Sequence, residues 1–374
     1  MAEPTIKVTA IGANPTPIWG MSAAERTRRI AVAEGFPLAD PSAAAPLVLV
    51  STRFAFDPPL LRFIAAQPGT ALVRDGAVVI AHAATEAQAA AVRAAMLHGA
   101  PLAADAGLKV IVHDDGFSLY NEALRKREHP FAMRLAPDTV AAIERASYYN
   151  AYKGVTDILT KYLWPEWALW LTRLAARFGI SPNMVTTVGA LCCVIATWLF
   201  WEGRYWEGMA VGLVFMVLDT VDGKLARCTI TSSAWGNVFD HGLDLIHPPF
   251  WWYAWGVGLG HWGLALPPSG FALAMAAILA GYVVQRLIEG AFIKRFGMHI
   301  HVWRKFDSDF RLVTARRNPN MIILFVATLL GRPDLGLVAV AWWTVLSCLV
   351  HAVRLAQAEL RQRRGGQITS WLMG

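Results

Sequence analysis

From Met184 to the C-terminus the chain is a succession of apolar segments, and this restricts its fold more than any other feature. Six can be marked, at roughly 184–202, 206–227, 234–258, 270–293, 317–331 and 334–357. A bilayer core about 30 Å thick calls for about 20 apolar residues in a helix. Every backbone polar group in that core must be paired, so helices are the expected form. The fifth segment is short. Lysine and arginine set the orientation. Arg173 and Arg177 precede the first segment, seven basic residues lie between Lys294 and Arg317, and Arg354, Arg361, Arg363 and Arg364 close the chain. The opposite loops offer Arg204 and Arg332. Both termini, and the turn between the second and third segments, are therefore expected on the cytoplasmic side of a multi-pass inner (cytoplasmic) membrane protein.

The first 140 residues read differently, with charges throughout. Ile6–Ala13 suits a strand and Met21–Gly35 a helix with Ser22 as N-cap and Gly35 as stop. Ala45–Thr52 is a continuous apolar run of the kind buried in a parallel sheet. Thr70–Ala83 is a hairpin around Asp75-Gly76, Thr85–Gly99 a helix and Leu108–Asp115 a further strand. Alternating strands and helices imply a doubly wound sheet. The expected organisation is a soluble cytoplasmic α/β domain at 1–140, amphipathic interfacial helices at 141–180, and a six-helix polytopic membrane domain at 181–374. No basic segment followed by an apolar one opens the chain, so no cleavable leader is expected. Four cysteines without metal-ligand spacing, three of them in apolar segments, argue against a disulfide framework. The net charge of +7 gathers beside apolar spans, which favours anionic lipid or phosphate-bearing substrates over nucleic acid.

Four carboxylates interrupt the second and third segments: Asp219, Asp222, Asp240 and Asp244. Each costs about 3 kcal/mol near a bilayer centre on insertion scales. Helix ends at the interface account for Asp222 and Asp240, but not for Asp244, which runs directly into an apolar stretch. Asp219 and Asp222 are i, i+3, and Asp240 and Asp244 are i, i+4, so each pair shares a helix face. Two consecutive antiparallel helices can bring these faces together. So dense a carboxylate cluster repels itself in a low dielectric and needs cations. All-oxygen ligands suit Mg²⁺, Mn²⁺ or Ca²⁺ rather than zinc, and two ions are plausible. Gly223, Gly236 and the small Ala226 flank the cluster, either for close helix packing or for close approach of a ligand to the backbone. Arg227 can clamp a phosphate.

The pattern Asp219-x-x-Asp222-Gly223-x-x-Ala226-Arg227, eight residues, Gly236-x-x-x-Asp240-x-x-x-Asp244 resembles the signature of the CDP-alcohol phosphotransferase family without a departure. Ser181–Thr186 and Ala315–Leu324 resemble the family's approaches to its first and fifth helices, and the likeness covers roughly 150–357. The resemblance implies six transmembrane helices, a homodimer, and a site open to the cytoplasm that moves a substituted phosphate from a CDP-linked donor, such as CDP-diacylglycerol, to an alcohol in phospholipid synthesis, releasing CMP. It implies a two-metal centre on Asp219, Asp222 and Asp240 with Asp244 at its edge, the metal being Mg²⁺ or Mn²⁺. Gly223, Ala226 and Gly236 would admit cytidine and ribose, Arg227 would bind donor phosphates, and Asp244 would be the general base.

Lys153 and Asp157 match part of an approach helix of the family's inositol-phosphate branch, but Ile158 stands where glycine is expected; a snorkelling interfacial helix accounts for them equally. Arg316 and Arg317, at the cytoplasmic rim, suit either phosphate binding or membrane anchoring. His299 and His301 read better as part of a solvated basic loop than as a metal pair. Ala10–Phe36 resembles the first strand, loop and helix of a nucleotidyltransferase, yet lacks the Gly-x-Gly-x-Arg loop, so a catalytically silent domain is expected. Two other functions compete: a hydrolase using the same metals, and a cation transporter. Transport predicts polar residues spread over many spans, whereas the carboxylates concentrate in two, the other four being nearly bare.

Overall fold

The computed structural model describes residues 6–114, 118–121, 126–152 and 154–373. The N-terminal part runs β1 (Lys7–Ile11), α1 (Ala23–Ala33), β2 (Leu47–Ser51), β3 (Phe54–Phe56), α2 (Pro58–Ala65), β4 (Thr70–Arg74), β5 (Ala77–Ala83), α3 (Glu86–His98), β6 (Lys109–Val112), β7 (Leu119–Asn121), β8 (Lys126–Glu128) and β9 (Ala132–Arg134). Ser22 caps α1 by accepting from the Glu25 N–H, and Gly35, at φ 79°, turns the chain out of it. Asp75 and Gly76 both take positive φ, 52° and 77°, the backbone of a tight hairpin turn.

That hairpin changes the sheet from the doubly wound form expected. The strand order is β1-β2-β5-β4-β6. Strand β1 pairs β2 in parallel and β4 pairs β6 in parallel, but β5 is antiparallel to both its neighbours. The sheet is mixed because two consecutive strands joined by a two-residue turn fill its centre. Alternate β2 side chains serve opposite faces. Val48 and Val50 pack with Ile30 of α1 and Leu60, Leu61 and Ile64 of α2, while Leu47 and Leu49 pack with Ala89, Val92 and Met96 of α3.

The chain continues through α4 (Val140–Asn150), α5 (Ile158–Tyr162), α6 (Pro165–Arg177), α7 (Pro182–Trp201), α8 (Tyr205–Cys228), α9 (Ala234–Gly258), α10 (Pro268–Phe296), α11 (Lys305–Arg311), α12 (Arg317–Leu329) and α13 (Pro333–Arg363). Helices α7, α8, α9, α10, α12 and α13 coincide with the six apolar segments. Three of them, α7, α10 and α13, are long and apolar enough to cross a membrane. The others fall short for visible reasons: α8 and α9 carry the aspartates, and the 13 residues of α12 rise only about 20 Å. Outward-facing side chains on the long helices are apolar: Val194, Trp198, Leu273, Leu287 and Trp342 are each more than half exposed, as suits lipid contact rather than water.

Close packing fixes α8 and α9 relative to each other. Trp251 of α9 lies edge-on between Phe200 of α7 and Phe215 of α8, with centroids 5.4 and 5.7 Å away. A Cβ on Gly212 would stand 3.1 Å from its ring. Pro249 cannot donate to the Leu245 carbonyl, four residues back; the Tyr282 hydroxyl of α10 donates to it instead at 3.0 Å.

Candidate active site

Helices α8 and α9 bring three of the four aspartates together. Asp219, Asp240 and Asp244 each offer a carboxylate oxygen within 4.8 Å of the others. Asp222, one turn on, stands beside this group and lines the smaller cavity with Asp240. Its Oδ2 accepts from the Thr186 hydroxyl of α7 at 2.6 Å and its Oδ1 from the Gly223 N–H at 2.5 Å.

Arg317, from the start of α12, lies across the cluster. Its Nη2 donates to Asp219 at 2.6 Å and its Nη1 to Asp244 at 2.7 Å. The guanidinium also stacks 4.8 Å from the Phe215 ring centroid. A cation bridging two of the carboxylates is what their mutual repulsion demands, and the donor set, all oxygen and all anionic, fits a hard divalent ion. Arg316 diverges from it. Its Nη2 reaches Glu289 of α10 at 2.5 Å and lies 3.2 Å from His301 Nε2. Burial holds the His301 imidazole well below its ordinary pKa, so it meets Arg316 uncharged. Glu289, His301 and His351 also converge to within 4.8 Å, but Arg286 and Arg316 already neutralise the carboxylate.

Two cavities meet here. The larger, about 500 Å³, is lined by Asp219, Asp244, Lys224, Arg286, Arg311 and Arg316 among others. The smaller, about 390 Å³, is lined by Asp222, Ala226 and Gly236. Both are lined by Gly223 and Asp240. Both volumes fall within the range of about 300–1,000 Å³ usual for small-molecule sites. Glycine at 223 has a local reason, since a Cβ would stand 3.2 Å from Arg227 Nη2. At 236 a Cβ would meet Asn183 Oδ1 and Ser233 Oγ, each at 3.0 Å. Arg227 lines the larger cavity, and its buried Nε finds no partner among the described residues.

Residues 179–306 match the family model described as CDP-alcohol phosphatidyltransferase. This stretch, about a third of the chain, carries the CDP-alcohol phosphatidyltransferase domain. The chain is 32% identical over 126 residues to cholinephosphotransferase 1 of Gallus gallus, covering 31% of this chain and 37% of that protein. It is 26% identical over 192 residues to archaetidylinositol phosphate synthase of Pyrococcus horikoshii, covering 51% and 89%. It is 33% identical over 93 residues to phosphatidylinositol phosphate synthase of Streptomyces avermitilis, covering 24% and 38%. The chain thus spans little more than a third of the cholinephosphotransferase. The family match contains all four aspartates but ends before Arg316 and Arg317.

Of the remaining residues singled out by sequence, Lys153 lies outside the described residues. Asp157 caps α5 through the Leu159 and Thr160 N–H groups and accepts from Asn318 at 3.0 Å. Sequence reasoning missed several polar residues of the fold's centre. Lys224, on the aspartate helix, is buried with its ammonium 2.9 Å from the Tyr152 ring centroid. Arg286 and Glu289 interrupt α10, which corrects the impression that the other spans are nearly bare. Their i, i+3 spacing in an apolar segment was the available signal.

Proposed function

We propose that this protein transfers a substituted phosphate from a CDP-linked donor, such as CDP-diacylglycerol, to an alcohol acceptor, releasing CMP. The observation that carries the reading is the carboxylate cluster at the junction of two cavities. Cytidine and ribose occupy the smaller cavity, where Gly223, Ala226 and Gly236 leave room. The acceptor occupies the larger one, where Arg316 and Arg317 are the candidate contacts; Lys153 remains a candidate from the sequence alone. Asp219, Asp222 and Asp240, with Asp244 at the edge, would hold Mg²⁺ or Mn²⁺, two ions by the count of carboxylates. Such ions supply neutralisation of the diphosphate charge.

The chain's own residues do the rest. Arg227 orients the donor phosphates. Asp244 takes the proton of the acceptor hydroxyl as that oxygen bonds to the phosphorus bearing the transferred group. The bond from the same phosphorus to the bridging oxygen breaks, and CMP leaves with the electron pair. Arg317, bonded to Asp219 and Asp244, offsets repulsion between them until substrate arrives. Six membrane spans, a homodimer, and cytoplasmic termini in the inner membrane complete the reading. The N-terminal domain is read as catalytically silent: the loop after β1 is tied down by Asn14, whose Nδ2 donates to the Thr52 and Leu135 carbonyls.

The test is CMP release by purified protein with Mg²⁺ or Mn²⁺, CDP-diacylglycerol and a panel of alcohols. Asp240→Ala abolishes turnover if the reading is right. Persistent turnover in that variant overturns it, and equal CMP release without any alcohol identifies a hydrolase instead.

A further inference from the structure

The smaller cavity is not built by the membrane helices alone. Trp19, Gly20, Met21 and Arg29 of the N-terminal domain also line it. We propose that this domain supplies one wall of the nucleotide pocket, with Arg29 a binding residue for the pyrimidine nucleoside of the donor. This rests on the proposed CDP-linked donor and extends it to residues outside the family match.

The two parts interlock around the cavity. Ile18 and Met21 exchange backbone hydrogen bonds at 2.9 and 3.0 Å, closing a hairpin turn in which Trp19 and Gly20 take φ 52° and 74°. Only glycine fits the second position, because a Cβ there would stand 2.8 Å from the Ala176 carbonyl oxygen of α6. Trp19 is buried in the helical core, its Nε1 donating to Ser147 Oγ at 2.7 Å. The grip is returned from the other side. Arg26 donates to the Cys228 carbonyl at 3.3 Å and Arg29 to the Thr229 carbonyl at 2.9 Å, holding the end of α8. Ile230, next in the chain, takes φ 54°, a costly conformation for a β-branched residue. It packs against the core under the N-terminal sheet. Strained backbone persists where its surroundings over-determine it. The strained turn leads into Thr231, Ser232 and Ser233, which line the same cavity.

The chemistry of the wall suits a nucleoside. Trp19 and Met21 line the cavity although each is nearly buried, so Arg29 is the side chain of this wall that is open to a ligand. The Arg29 Nε bonds Glu25 at 2.6 Å and its Nη1 bonds Thr229, so the guanidinium is held by two partners with Nη2 used by neither of these bonds. The cytosine edge presents two acceptors, a carbonyl oxygen and a ring nitrogen, that match guanidinium donors.

The experiment titrates full-length protein with CMP in the presence of Mg²⁺ and measures KM separately for donor and acceptor. Arg29→Ala is expected to weaken CMP binding about tenfold and raise the donor KM by a like factor, with the acceptor KM unchanged. Arg29→Lys recovers part of the loss. Arg28→Ala, a neighbouring charge whose partner is Glu25 and which does not line the cavity, binds CMP as the parent does. A second arm needs no variant: CMP slows hydrogen exchange in peptides covering residues 18–29 of the unaltered protein. CMP binding by Arg29→Ala within twofold of the parent, or exchange at 18–29 unchanged by CMP, overturns the proposal and leaves the proposed function standing. Failure of the parent protein to bind CMP removes both.

Discussion

Replacing Arg317 by Met separates the cost of the carboxylate cluster from the benefit of whatever cation fills it. The substitution removes ion pairs of 2.6 Å to Asp219 and 2.7 Å to Asp244 but keeps a flexible apolar stem beside Phe215. Removing one partner of a buried pair costs about 3–5 kcal/mol. The Asp244 side chain is 46% exposed, so solvent screens its share to at most about 1 kcal/mol. Asp219, 16% exposed, carries most of the loss. The expected destabilisation without divalent metal is therefore about 3 kcal/mol, or about two orders of magnitude in the folding constant. A divalent ion bound between the same carboxylates should return most of it. At a hundred times its dissociation constant an ion contributes about 2.7 kcal/mol. Because the guanidinium no longer competes, Mg²⁺ should stabilise the variant more than the parent. Thermal unfolding in detergent, with Mg²⁺ titrated into both proteins, measures the difference. Equal Mg²⁺ stabilisation of the two proteins, or no loss of stability in metal-free Arg317→Met, would refute the reasoning.

Gly223→Ala pushes a methyl to 3.2 Å from Arg227 Nη2; steady-state kinetics should show kcat/KM for the donor falling about tenfold, a loss of about 1.4 kcal/mol. Thr186→Val, nearly isosteric, takes a 2.6 Å hydrogen bond from Asp222, and the variant should lose about 1.5–3 kcal/mol of stability, measured by thermal unfolding. His301 is held neutral by burial, its pKa far below the ordinary imidazole value. The folded state therefore binds fewer protons than the unfolded state as acid is added. Stability is full above about pH 6.5 and declines below it; His301→Gln should flatten that decline in an unfolding series from pH 7.5 to 5.

What the sequence disclosed about the site was local. Asp219, Asp240 and Asp244 sit at helical spacings on two segments joined by a short turn, so their convergence follows from the helix repeat. Ser22, Gly35 and the Asp75-Gly76 pair were legible for the same reason, since caps and turns are decided within a few residues. What escaped was long-range. Arg317 reaches Asp219 across 98 positions and Asp244 across 73, and no periodicity reports such a meeting. Asp222 shares a helix with Asp219, yet it is held by a hydroxyl 36 positions earlier, which no spacing reports. The mixed sheet was obscured because an apolar strand buried on both faces has the same composition whichever way its neighbours run. Ile230 carried no mark of its role: a single isoleucine after a helix does not announce a left-handed backbone.

Two chambers sharing Gly223 and Asp240 allow two reactants to be resident at once. A catalyst so arranged has no need to park the migrating group on itself while one molecule departs and another arrives. Its double-reciprocal plots should intersect rather than run parallel. Whether the reaction runs sequentially or by double displacement would then be a property of floor plan, set by two cavities that share one glycine and one aspartate.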